Sequence, residues 1–93
     1  MRVVRAFQRV VLAHRLPEKM DADTRAFASK NNISIIELPV VLEDRKFSIF
    51  DLRWSMSAAH AMAAPGDIIV IDGQTKVLSP EEFELHYRSI EGM

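Results

Sequence analysis

Apolar and polar positions alternate along this chain in two rhythms, and the rhythm decides each element. From Val3 to Ala13 the run "VVRAFQRVVLA" steps by two. Val4, Ala6, Val10 and Leu12 fall on one face, with Arg5 and Arg9 on the other beside Val3, Phe7 and Val11. Period two marks a strand, because successive side chains point to opposite sides. Eleven residues is long for one strand, so a bulge or break is expected near Gln8.

Helical spacing follows in Leu16, Met20 and Phe27. Pro17 suits a first helical turn, Asp21 or Asp23 offers a cap, and Asn31-Asn32 supplies a left-handed stop. "ISIIELPVVL", residues 33–42, is β-branched and apolar, which predicts a buried strand; Pro39, having no N–H, belongs at an edge or a bend. "EDRK" is a polar turn and "FSIFDL" the returning strand of a hairpin. Over 51–64, "DLRWSMSAAHAMAA", the composition turns helical: Asp51 can cap, the alanines favour a helix, and Pro65-Gly66 ends it.

The last third is the most fully marked. "DIIVID" is a strand, Gly73 makes a turn, and "TKVLS" returns. Ser79 then reads as an N-cap with Pro80 at the first helical position and Glu82 completing a capping box. Leu78 and Phe83 form a hydrophobic staple, Phe83, Tyr87 and Ile90 an inward stripe, and Gly92 a stop. The fold class predicted is α+β: one domain over residues 1–93, with an antiparallel or mixed sheet of four or five strands and two or three helices on one face.

Composition narrows the function classes. The chain of 93 residues has no cysteine, hence no disulfide framework, thiolate nucleophile or cysteine zinc site, which suits a reducing cytoplasm. Its wholly apolar runs fall far short of the ~20 residues that span a bilayer. "MRVVRAFQRVVLAHR" is interrupted by arginine too often for a signal peptide. The net charge of −1 hides an asymmetry: Arg2, Arg5, Arg9 and Arg15 crowd the first segment without an acid, whereas acids dominate from residue 66 onward. Arg5 and Arg9 are the candidate basic strip, but without interleaved aromatics they make a weak nucleic-acid signal.

Candidate chemistry is sparse. Three histidines, His14, His60 and His86, lie scattered without metal-ligand spacing. His14 reads as an exposed loop residue, His60 as part of a solvated helical stripe with Arg53 and Ser57, and His86 as half exposed. Gly66, Gly73 and Gly92 each have a turn or cap explanation, so no phosphate-cradling loop is present. No serine sits in a nucleophile elbow. The expectation is a chain that is not an enzyme and needs no cofactor or metal. The feature folding explains least is the segment around Arg53, Trp54 and Met56, residue types enriched at interface hot spots. These three are the candidate protein-binding residues; the competing reading packs Trp54 into the core.

Pro65-Gly66-Asp67, the strand Ile68 to Ile71, Gly73, Phe83 and Tyr87 together resemble the C-terminal part of small bacteriophage- and prophage-encoded proteins of the PGDYG type. The opening "VVRAFQ" is similar to the start of such proteins. Ile68 stands where that family often has an aromatic, and residues 12–64 have no counterpart. The resemblance implies a phage or prophage origin rather than an activity. A second likeness is to the histidine phosphocarrier protein: "HRLP" resembles that family's phosphorylated loop, with His14 as the phosphoacceptor, although Arg15 falls one position early.

The leading expectation is therefore a non-catalytic phage- or prophage-derived binding protein in the host bacterial cytoplasm. It would act as an inhibitor or adaptor on a host or viral protein, or self-associate. The alternatives are a degenerate phosphocarrier using His14 and a nucleic-acid accessory protein using the N-terminal arginines.

Overall fold

A computed structural model of the chain describes residues 2–6, 9–54 and 60–89, with side chains over 11–54 and 60–87. Phe7, Gln8, Met56, Ser57, Ile90 and Gly92 lie outside the described residues. The elements run β1 (Arg2–Ala6), β2 (Arg9–Arg15), α1 (Ala22–Lys30), β3 (Ile33–Leu42), β4 (Arg45–Trp54), β5 (His60–Ala63), β6 (Ile68–Asp72), β7 (Gln74–Leu78), α2 (Pro80–His86) and β8 (Arg88–Ser89). The α+β class predicted above holds. The strands divide between two sheets, one of five in the order β7-β6-β2-β1-β8 and one of three in the order β3-β4-β5. Their described pairings are antiparallel throughout.

The long N-terminal strand breaks where its length predicted. The chain reverses between Ala6 and Arg9, so β1 pairs back on β2 with Arg5 opposite Val10 and Ala6 opposite Arg9. Directly opposed residues share a face and neighbours alternate. Arg5 and Arg9 therefore occupy register positions on opposite faces of the sheet, and the single-faced basic strip is corrected. A continuous strand would have kept them together; the reversal changes the parity.

The five-stranded sheet is the middle layer. On one face Val11, Ala13, Ile68 and Val70 bury against Tyr87, with Leu78 and Phe83 packed alongside. On the other, Leu12, Ile69, Ile71 and Val77 meet Leu16, α1 through Phe27 and Ala28, and the inner face of the three-stranded sheet through Ile33, Phe50, Leu52 and Ala63. The two helices thus lie against opposite faces of this sheet. Asp21 caps α1 by accepting a hydrogen bond from Thr24 N–H at 2.8 Å. Pro17 lies in the preceding loop, and Asn32 takes the left-handed stop with φ 58°. The capping box of α2 is present in both directions. Ser79 Oγ accepts from Glu82 N–H, and Glu82 Oε1 accepts from Ser79 N–H. Gly66, with φ 94°, makes the turn after β5 that the Pro-Gly pair announced.

The predicted helix over 51–64 is overturned at both ends, while residues 55–59 lie outside the described residues. β4 continues to Trp54, paired with Ile33, and His60–Ala63 is a third strand opposite Phe50–Arg53. Alternation explains the error: Phe50 and Leu52 are fully buried while Arg53 is exposed and Asp51 lies between those extremes, a period of two across the supposed cap. Ladder bonds and burial outweigh the helix preference of alanine, which is worth only a few tenths of a kcal/mol per residue. Asp51 consequently caps nothing; it is a mid-strand residue.

Candidate functional site: the outward face of the three-stranded sheet

Register divides β3, β4 and β5 into two faces. One carries Ile33, Ile35, Phe50, Leu52, Trp54 and Ala63 toward the core. The other carries apolar residues that none of the described residues packs over: Ile36 is 48% exposed, Leu38 41%, Leu42 57% and Met62 53%, and half-buried Val40, Phe47 and Ile49 fill the spaces between them. A strand apolar on both sides predicted full burial for residues 33–42, and that expectation is corrected. β3 is an edge strand of a small sheet, and nothing among the described residues covers its second face. Pro39 is the residue that marks the edge.

The hydrogen bonds show how Pro39 is accommodated. Ser48, its partner across the ladder, directs its N–H away from β3 to the carbonyl of Glu18 at 3.2 Å. Opposed residues in an antiparallel pair point the same way relative to the ladder, so the Pro39 nitrogen faces the outer edge, where no donor is required. At the same level Glu37 fastens the strand to the loop before α1. Its Oε2 accepts from Ser48 Oγ at 2.6 Å and from Met20 N–H at 3.1 Å. These bonds, the hydroxyl first, hold the Glu37 carboxyl below the usual carboxylate range. Beyond this fastening β3 and β4 run on as a two-stranded arm, since β5 pairs only with Phe50–Arg53. The arm ends in a turn with Glu43 at φ 53°.

Polar residues bracket the apolar patch. At the base, Asp51 lies between Arg53 Nη2, 3.3 Å from Oδ2, and His60 Nδ1, 3.4 Å from Oδ1. The second contact is within Coulombic reach but forms no hydrogen bond, so Asp51 Oδ1 is buried without a hydrogen-bond partner. At the tip stand Glu43, Asp44, Arg45 and Lys46, all exposed, with the Arg45 guanidinium 5.4 Å from the centre of the Phe47 ring. The expected helical stripe of Arg53 and His60 becomes a cross-strand pair on β4 and β5.

The candidate protein-binding residues separate. Arg53 is exposed at the polar corner of the outward face. Trp54, one residue on, points the opposite way and packs, half-buried, against the core. Met56 lies outside the described residues. Sequence reasoning missed Ile36, Leu38, Leu42 and Met62. Pro39 signalled that β3 is an edge strand, but no residue in the run signalled that its second face lacks a covering layer.

His14 is not an exposed loop residue. It sits on β2, 7% exposed, with Nε2 2.8 Å from Thr24 Oγ1 and its ring stacked on Phe27 at 5.0 Å. Burial pushes its pKa below the ordinary histidine value. Such a nitrogen is closed to a phosphoryl donor without local opening. His86, expected half exposed, is exposed in the last turn of α2. Among the described residues no group of three or more histidine, aspartate or glutamate side chains could hold a metal ion, and no helix is long and apolar enough to cross a membrane.

No protein-family model matches this chain, and neither a curated protein nor a solved structure does.

Proposed function

We propose that this chain is a small non-catalytic binding domain that acts by contact with a protein through the outward face of β3, β4 and β5. One observation carries the reading: Ile36, Leu38, Leu42 and Met62, each 41–57% exposed, form an apolar patch on one sheet face, and the largest such patch on a small protein is often its contact site. The polar residues at both ends of the patch supply the rim that such contacts use for register. The Pro65-Gly66-Asp67 cassette and the "VVRAFQ" opening support a phage or prophage source, with the host bacterial cytoplasm as the setting. An inhibitor or adaptor is a form that a contact function takes in a chain of this size. Buried His14 weighs against the phosphocarrier alternative, and the opposite-face positions of Arg5 and Arg9 weigh against the nucleic-acid one.

Hydrogen exchange with and without a protein ligand tests the proposal. Protection is expected in β3 and β4, and Leu38→Glu is expected to abolish it while leaving the fold intact. Protection confined to β7 and α2, or binding unaffected by Leu38→Glu, removes this face as the working surface.

A further inference from the structure

The outward face has a pattern that selects one partner. Along β4 from the level of Ser48 toward the tip come Phe47 and Arg45, with the acids Glu43 and Asp44 in the turn beyond them; toward the base come Ile49, Asp51 and Arg53. The strand positions read apolar then basic in one direction and apolar then acidic in the other, with the acidic turn beyond the first and Arg53 beyond the second. On β3 the same level, Pro39, separates Val40 and Leu42 from Leu38 and Ile36, apolar on both sides. A surface whose two halves complement each other about a line is what an isologous two-fold contact requires.

We propose that the protein bound by this face is a second copy of the chain. The two sheets pack face to face with strands antiparallel, about a two-fold axis crossing β3 and β4 at the level of Pro39 and Ser48. The inference rests on the reading of this face as protein-binding and names its occupant. Rotation about that axis lays Phe47 on the partner's Ile49 and Leu42 on the partner's Ile36. It also sets Arg45 over the partner's Asp51, and brings the turn acids Glu43 and Asp44 toward Arg53 of the partner subunit. Arg45 and Asp51 are six residues apart, about 20 Å along the strand, so the arms overlap over most of their length. Aligned sheets cross at about 30°, which shifts the ends of such a strand by roughly 5 Å, a gap that arginine and glutamate side chains span.

Two further features favour a second copy over other occupants. A two-stranded ribbon is marginal in water without a covering layer, and the outward face of this arm carries Leu38, Val40, Leu42, Phe47 and Ile49 with nothing among the described residues over them. The tip balances Glu43 and Asp44 against Arg45 and Lys46, so it offers no single sign of charge to phosphates or an anionic lipid surface. The contact area is below that of permanent complexes, so the dimer is reversible and of micromolar strength.

Sedimentation of the full chain across a concentration series tests this. A monomer–dimer equilibrium is expected in the micromolar range. Leu38→Glu, at the centre of the face, should weaken it at least about tenfold. Glu43→Arg and Arg53→Glu should each weaken self-association several-fold by opposing like charges, with circular dichroism of each variant checking that the fold survives loss of the Arg53–Asp51 contact. An equimolar mixture of those two variants should associate as a heterodimer as tightly as the wild type, because both rim contacts are restored. A strictly monomeric wild type at about 1 mM overturns the proposal, as does a dimer indifferent to Leu38→Glu or a mixture that fails to recover. A monomer that loses capture of a different protein on Leu38→Glu overturns the second-copy inference alone. If neither self-association nor capture responds to Leu38→Glu, the protein-binding reading falls with it.

Discussion

The imidazole of His14 and the hydroxyl of Thr24 share a 2.8 Å hydrogen bond sealed between β2 and α1, with Thr24 wholly buried. Thr24 also donates, by its hydroxyl and then its N–H, to Asp21 at the helix cap, and this holds the Asp21 carboxyl below the usual carboxylate range. One buried polar contact thus ties the sheet to the helix start.

Acid should loosen this joint in a definite window. The folded-state pKa of His14 lies below its unfolded value, burial being the cause. The unfolded chain therefore binds the proton first, and stability is lost as pH falls from about 6.5 toward the folded pKa. Above that window the contribution is fully present. Denaturation midpoints should decline between neutral and mildly acidic pH in the wild type and stay flatter in His14→Phe. Identical slopes in the two proteins would show that His14 protonates freely in the folded state. Asp21, Glu37 and Glu82, all lowered by hydrogen bonds, belong to a separate carboxylate window at lower pH.

The capping box should be worth more than its short helix suggests. Ser79→Ala removes the acceptor for Glu82 N–H, at a cost of about 1 kcal/mol. Glu82→Ala should lose less, because the Ser79 N–H it leaves can reach water. Urea midpoints check the order; a silent Ser79→Ala would mean that the stacking of Phe83 on Tyr87 at 5.2 Å alone holds this helix.

The turn at Gly66 carries a backbone constraint rather than a packing one. At φ 94° a side chain is disfavoured, yet an added Cβ would come no closer than 4.0 Å to Pro80 Cγ. Gly66→Ala should therefore cost about 1–2 kcal/mol through the backbone alone. Full stability in that variant, measured by thermal unfolding, would show that the turn relaxes to negative φ.

Much of this fold was legible because local chemistry and tertiary structure agree. The Asp21 cap, the left-handed Asn32, the Gly73 turn and the Ser79–Glu82 box each satisfy a backbone requirement within a few residues, so their signals survive in the sequence. The Leu52–Ala63 region misled for the converse reason. Its alanines and methionines report helix propensity, while the strand state of Leu52–Trp54 is set by pairing with Ile33–Ile35, and that of His60–Ala63 by pairing with Phe50–Arg53. The candidate site was hidden for the same kind of reason. Burial of residues 33–42 depends on how many layers cover the strand, and period alone does not report that.

The alternation along β4 yields the sharpest test of the strand assignment and of the outward face together. Phe50 and Leu52 have no exposed surface, whereas Leu38 on β3, a neighbour in the same sheet, is substantially open. Truncating a buried residue costs its transfer free energy plus the cavity left behind, about 3–5 kcal/mol for Phe50→Ala and 2–5 kcal/mol for Leu52→Ala. Leu38→Ala removes side-chain carbons already half in water and should cost under about 1 kcal/mol. Arg53→Ala removes an exposed guanidinium but also the hydrogen bond to the mostly buried Asp51, and should cost about 1–2 kcal/mol, less than Leu52→Ala. A helix over 51–64 would instead group Leu52 with Met56 and Ala59 on one side and break the alternation of Phe50, Leu52 and Trp54. Equilibrium unfolding of the four variants at one pH separates the two arrangements. Comparable losses for Leu52→Ala and Arg53→Ala would show that the strand register is wrong, and a large loss for Leu38→Ala in a monomeric sample would show that the outward face is already covered.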